Sequence, residues 1–292
     1  MNPHSIVVGT AGPDSGNTAV EWAAREAQLR RRPLHIVHVL EWSPDEAREA
    51  GGSSYVERVW SASEALTGAA RRLALEVAPE ADVTVGTLVG HPAARLLEVA
   101  DNVELMVLGC RGRGGFAGLR LGSVSQRVAT HASCPVAVVR GRPHADGPVV
   151  AGVGDSAAAD HVLETAFEAA AARLASLVVV RSFAPAIQLW VASVSPSEIA
   201  TPEQDAAERG RVEEQLASWR GKFPEVPVEI VLTHDGIAGA LVDASSSARL
   251  VTVGSHGRGA IRGALLGSTG LHLLHHAGCP VLVARPRGDR AS

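Results

Sequence analysis

The chain has 292 residues, 46% hydrophobic and 20% charged, with a net charge of −4. That length predicts two domains of roughly 150 residues, and the balance of apolar and charged side chains excludes a disordered chain. The slight acidity excludes a nucleic-acid binder that works by counterion release, and no stretch reaches the ~18 uncharged apolar residues that span a bilayer.

The opening MNPHSIVVGTAG lacks a basic segment followed by a long apolar run, so no secretion signal is expected. Three cysteines, an odd count without metal-ligand spacing, suit a reducing cytoplasm. From there short Val/Ile/Leu runs alternate with amphipathic stretches. The first half offers strands at SIVVG, LHIVHVL (34–40), DVTVGTLV (82–89), ELMVLG (104–109) and PVAVVR (135–140). Between them NTAVEWAAREAQLRR, SASEALTGAARRLALEVA, HPAARLLEVADN and SVSQRVATHAS read as helices, with Pro92 suited to a first turn. Arg30-Arg31-Arg32 and Arg71-Arg72 read as solvated helix faces.

RGRPHADG, residues 140–147, has the Pro, Gly and charge of a linker. It separates an expected domain 1–142 from a second at 147–288. The second half repeats the order, with strands near PVVAGV, SLVVVRSF, PVEIVLT, RLVTVG and PVLVAR. Residues 51–60 and 186–205 follow the second strand of each half and are expected as loops that pack Trp60 and Trp190. Cys134 and Cys279 hold the same place in the two halves and are expected as small buried side chains. Near-continuous apolar strands alternating with helices predict two tandem doubly wound, Rossmann-like α/β domains, each a parallel sheet covered on both faces.

The strongest signal is a repeated stretch. GCRGRGGFAGLRLGS (109–123) and GSHGRGAIRGALLGS (254–268) agree at eight of fifteen positions. Each runs from the end of a fourth strand to the start of a fourth helix, where doubly wound sheets bind ligands. The glycines let backbone approach a ligand, and the helix start offers N–H groups and partial positive charge. Ser123 is placed to cap that helix or to offer its hydroxyl. Arg111 and Arg113, or His256 and Arg258, add cationic charge. The reading is a phosphate cradle, distinct from a Walker loop or a G-x-G-x-x-G turn.

The spacing G-x2-G-x9-G-[ST], present as Gly109, Gly112, Gly122, Ser123 and as Gly254, Gly257, Gly267, Ser268, resembles the ATP-binding signature of the universal stress protein family. The resemblance extends over both halves and implies a tandem member whose domains are five-stranded, adenine nucleotide alpha hydrolase-like folds. It implies ATP as ligand, with Mg²⁺ as companion cation. Carried over by position, Gly9, Thr10, Ala11 and Val39 line the nucleoside side, and Gly109, Arg111, Gly112, Gly122, Ser123, Val124 and Ser125 surround ribose and phosphates. The second set is Gly152, Val153, Gly154, Ser182, Gly254, His256, Gly257, Gly267, Ser268, Thr269 and Gly270.

Where ATP-binding members carry an Asp in G-V-D-G-S, these stretches have Ala11 and Gly154, with Asp14 and Asp155 close by and Asp155 displaced by one residue, so that a loop shift would restore its contact. A lost hydrogen bond to a charged acceptor is worth about 1.5–3 kcal/mol, roughly ten- to a hundredfold in affinity, so binding is expected to be weakened rather than abolished. No catalytic set recurs at both sites. The expectation is a cytoplasmic nucleotide-dependent stress sensor or regulator, not an enzyme, without nucleic-acid or membrane partners. The resemblance also implies homodimers. An interaction module with degenerate sites, binding a protein partner, and a slow ATPase are the alternatives.

Overall fold

The computed structural model describes residues 2–13, 15–41, 53–111, 121–156, 158–183, 201–255 and 266–286. Internal contacts divide it into two compact units, built on Met1–Arg140 and on Gly141–Arg285. The first runs β1 (Ile6–Gly9), α1 (Ser15–Arg30), β2 (Leu34–Leu40), α2 (Ser53–Val77), β3 (Val83–Val89), α3 (Pro92–Ala100), β4 (Leu105–Gly109), α4 (Ser123–His131) and β5 (Val136–Val139). The second repeats it as β6 (Val149–Gly152), α5 (Ala159–Ala172), β7 (Leu177–Ser182), α6 (Pro202–Lys222), β8 (Val228–Thr233), α7 (Ile237–Ala244), β9 (Leu250–Gly254), α8 (Ser268–His276) and β10 (Val281–Ala284).

Within the first unit the strands lie parallel in the order β3-β2-β1-β4-β5, and within the second in the order β8-β7-β6-β9-β10. Successive residues of a strand point to opposite faces. Ile6, Val7 and Val8 of β1 are nevertheless all fully buried, so helices cover both faces, as the unbroken apolar runs require. The chain places β2 and β3 on one side of β1 and β4 on the other. Strand order therefore reverses between β1 and β4, where Gly9 lies beside Leu108, and likewise between β6 and β9.

Pro92 takes the first turn of α3, and Cys134 and Cys279 are buried in their units. Two expectations are corrected. Residues 53–60, expected as a loop, form the first two turns of α2, and Trp60 is 39% exposed rather than packed away. In the corresponding insert of the second unit α6 begins at Pro202, behind a capping box in which Thr201 and Gln204 each satisfy the other's backbone N–H; Trp190 lies outside the described residues.

The expected linker is also less free than its composition suggests. The Arg249 guanidinium donates to the carbonyls of Gly147 (2.6 Å), Ala145 and Arg173, and the Arg142 N–H donates to the Gly278 carbonyl at 3.0 Å. Gly141 has φ 57°, and a Cβ there would lie 1.8 Å from the Gly278 carbonyl oxygen, so only glycine fits. Residues 141–147 are thus built onto the second unit.

An aromatic pile anchors α6 to α5. Phe167, fully buried, stacks on Trp219 and Phe223 with ring centroids 6.2 and 5.6 Å away. Phe167→Ala should lower the stability of the second unit by about 3–5 kcal/mol, read by urea unfolding with tryptophan fluorescence. A loss below about 1 kcal/mol would show that the pile is peripheral to the core.

Candidate functional site

At the switch point of the first unit, the carboxyl ends of β1 and β4 are each tied down by hydrogen bonds. The Thr10 N–H donates to the Val37 carbonyl at 2.9 Å, continuing the ladder one residue past β1. The Thr10 hydroxyl then accepts the Gly12 N–H at 3.3 Å. Gly12 sits at φ 120°, a conformation that side chains rarely adopt. Buried His38 lies with Nδ1 2.8 Å from the Thr10 carbonyl oxygen. A carbonyl only accepts, so Nδ1 carries the proton. Ala11 therefore leaves the sheet in a fixed direction, with Gly9 behind it and half-buried Val39 on the neighbouring strand.

On the β4 side the Cys110 N–H donates to the Val139 carbonyl at 3.0 Å, and the Gly122 N–H donates back to the Cys110 carbonyl at 2.7 Å. The buried Ser125 hydroxyl donates to the Gly109 carbonyl at 2.7 Å. These two bonds bring the start of α4 against the end of β4. Gly112 lies outside the described residues; Arg111 is exposed at the point where the loop departs.

The N-cap of α4 is Gly122, extended at φ −80°, ψ 149°, with no side chain to cap the helix. This corrects the expectation for Ser123, which is the first helical residue and does not cap. The first-turn N–H groups of Ser123, Val124 and Ser125 consequently have no capping side chain, and the positive end of the helix is tied to the end of β4, the strand paired with β1. An anionic group suits that arrangement, so the donors present fit a phosphate.

The second unit repeats the plan with different fastenings. The Val153 N–H donates to the Val180 carbonyl at 3.0 Å. The Ser255 N–H donates to the Ala284 carbonyl at 3.2 Å, and the Gly267 N–H to the Ser255 carbonyl at 3.0 Å. Gly267, extended at φ −62°, ψ 160°, again leaves its helix uncapped ahead of Ser268, Thr269 and Gly270. Gly270 stands where the first unit has Ser125, so the hydroxyl tie to β9 at Gly254 is missing. Ser182 turns its hydroxyl to the Asp235 carbonyl at 2.8 Å, which commits that donor. His256 and Gly257 lie outside the described residues.

The displaced acid is accounted for. Gly154 is exposed, and the Asp155 carboxylate is bound to the guanidinium of Arg181, whose Nε also donates to Glu208 at 2.7 Å. The side chains of Arg181 and Glu208 are each only 4% exposed, whereas that of Asp155 is 54% exposed. Burial alone would pull the Arg181 pKa down. The hydrogen bonds to Asp155 and Glu208 outweigh it and raise it above its ordinary value, so the group stays charged. Arg211 donates to the second Glu208 oxygen at 2.8 Å. An open pocket of ≈ 380 Å³ lies over this network, lined by Asp155, Asp160, Arg181, Arg211 and Gln215 among others. Asp155 is therefore held toward α6 by Arg181, engaged there rather than in the contact that a loop shift would restore. Asp14 lies outside the described residues.

Register explains the exchange. Val37 and Val180 lie beside Gly9 and Gly152, which puts His38 and Arg181 at the same place in the two sheets. Sequence reasoning passed over both, and over Glu208. Each strand residue stands out as a polar interruption of an apolar run, which marks a buried polar group with an obligatory partner.

Among the described residues no helix is long and apolar enough to cross a membrane, and no group of three or more His, Cys, Asp or Glu residues is placed to hold a metal ion. A profile of the universal stress protein family matches residues 3–140 and 147–285. A universal stress protein of Mycobacterium tuberculosis is 34% identical over 301 residues, covering 97% of both chains. The crystal structure of a universal stress protein from Archaeoglobus fulgidus superposes with a TM-score of 0.71 at 16% identity, covering 98% of this chain and 99% of its own. A shorter universal stress protein, solved in complex with cAMP, is 28% identical and covers 47% of this chain and 97% of its own, with a TM-score of 0.39.

Removing one member of the buried pair leaves the other charge desolvated, at a cost of about 3–5 kcal/mol. Arg181→Met should destabilise the second unit by the lower part of that range, because exposed Arg211 still neutralises part of Glu208. The double variant Arg181→Met/Glu208→Leu should recover most of the loss in urea unfolding. Equal losses in the single and double variants would show that the pair is not the source.

Proposed function

This chain belongs to the universal stress protein family as a tandem of two family domains, and on that premise we propose that it is a cytoplasmic regulator that binds an adenine nucleotide and does not turn it over. The observation that carries this reading is the pair of uncapped helix starts, at Gly122–Ser125 and Gly267–Gly270, each drawn by backbone hydrogen bonds to the strand-order reversal of its sheet. Ligand-free, such a site leaves donors without side-chain partners, and a phosphate supplies what they lack.

In the first unit the phosphates of ATP lie against the N–H groups of Ser123, Val124 and Ser125, with Arg111 adding charge and Mg²⁺ accompanying the phosphates. The nucleoside lies toward Thr10, Ala11 and Val39. In the second unit Ser268, Thr269 and Gly270 take the phosphates, and Val153, Gly154 and Ser182 border the nucleoside. Sensing fits this reading better than turnover, because the described residues around the cradle supply backbone donors and a cation rather than a paired base and nucleophile. The first site is the stronger, since Thr10, His38 and Ser125 hold its backbone in place before a ligand arrives. Whole chains pair as homodimers and pass the signal to a protein partner.

A second reading, an interaction module with degenerate nucleotide sites, is favoured by the commitment of Asp155 to Arg181. Calorimetric titration of nucleotide-stripped protein with ATP and Mg²⁺ separates the two. Saturable binding is expected, and no binding up to millimolar ATP selects the interaction module. A carboxylate at the first helical position stabilises a helix start by about 0.3–1 kcal/mol while occupying the place of a phosphate. Ser123→Asp should therefore hold or raise the melting temperature yet weaken ATP by roughly tenfold or more. Unchanged affinity in that variant would remove the phosphate from the start of α4.

A further inference from the structure

The helix that opens with the second cradle closes on LHLLHH, residues 271–276. Residues four apart on a helix are neighbours on its surface, and His272 and His276 stand in that relation. Both are exposed, and their rings lie 4.4 Å apart, centroid to centroid, at 28° to each other. The ring of His275 lies farther from that of His276, 6.2 Å away and tilted by 44°. Nothing in the nucleotide reading uses these side chains; His272 stands at the middle of α8, one turn beyond Ser268, and His275 and His276 stand in its last turn.

We propose that His272 and His276 form a two-imidazole chelating site for a borderline divalent transition-metal ion of the Zn²⁺, Ni²⁺ or Cu²⁺ class. The spacing is that of the two histidines in the H-E-x-x-H helix of zinc enzymes, which places both rings on one face. Imidazole is a preferred ligand for this class of ion. With two protein ligands, water completes the coordination shell, and the exposure of both rings leaves room for it.

Helix electrostatics add a separate argument. The last turn of a helix carries partial negative charge and favours a cation. In α8 the basic residues of the last turn are His275 and His276, with neither Lys nor Arg among them. An ion held by His272 and His276 sits at that negative end without a fixed positive neighbour in the turn. The first unit provides the contrast. Aligning Gly122 with Gly267 puts Arg127 and His131 of α4 at the places of His272 and His276. A guanidinium is no ligand and repels a cation, so the site belongs to the second unit alone.

The test is calorimetric titration of the full, chelator-treated chain with Ni²⁺ and with Zn²⁺, after alkylating the half-buried thiol of Cys110, which would otherwise compete. About one ion per chain should bind in the micromolar range. His272→Arg, which installs the residue of the first unit, should weaken binding by roughly tenfold or more, a scale that loss of even an outer-shell partner reaches. His275→Ala should leave affinity within about twofold. Circular dichroism checks folding, and His272→Gln carries the test should the arginine variant unfold. Equal affinity in the His272 variants and the parent chain, or binding only at millimolar metal, overturns the site.

Discussion

Parallel pairing is the constraint on which everything else in each unit depends. When every strand runs the same way, every strand ends at one edge of the sheet, and each helix that follows must begin there. The Gly9–Leu108 register sets the ends of β1 and β4 side by side, and chain order makes them the place where the connections diverge. No helix has to cross over that gap. Backbone carbonyls at the strand ends then bind the N–H of Gly122 or Gly267, and a helix start is delivered to the gap as a consequence of the ladder.

The two units show how far side chains can change while that backbone plan stays. The ladder bonds made by the N–H groups of Thr10 and Val153 are alike, and so are those of Gly122 and Gly267. Around them the polar groups have been exchanged. His38 reaches the carbonyl of Thr10 at the end of the neighbouring strand β1, whereas Arg181 at the same register reaches across to an acid on α6 and captures a second at the loop. Each solution satisfies a polar group buried under the sheet edge. Only the second consumes a carboxylate, and with it the residue best placed by sequence to replace the missing acid.

Most of the architecture was readable from the residues because apolar runs with no polar alternation leave few structures open. SIVVG and ELMVLG need cover on both faces, and only a sheet between helix layers gives it. The beginning of α2 was not readable in the same way. GGSSY has the composition of a turn, yet Ser53–Trp60 is helical as part of a 25-residue helix that packs along α1. In the site, the glycine spacing located the helix starts, but the cap fell one residue earlier than a serine-based reading placed it. The direction of Asp155 was beyond sequence altogether. At the end of a strand a shift of one residue reverses the face a side chain takes, and the partner that fixed its direction lies 26 positions away.

The glycine caps also set a limit on stability. Ser, Thr, Asp or Asn at an N-cap stabilises a helix by about 0.5–2 kcal/mol over residues that cannot cap, although glycine itself forfeits only a few tenths of that. Gly122 and Gly267 forgo a side chain that would fill the space in front of their helices. The fold thus leaves the first-turn donors of two helices without a side-chain acceptor, and it gives up very little to do so. An N-cap serine, the usual choice for strengthening such a helix, would put its own oxygen on the donors that an incoming anion needs. In this fold, consensus stabilisation of those two helices and retention of an anion there are competing aims.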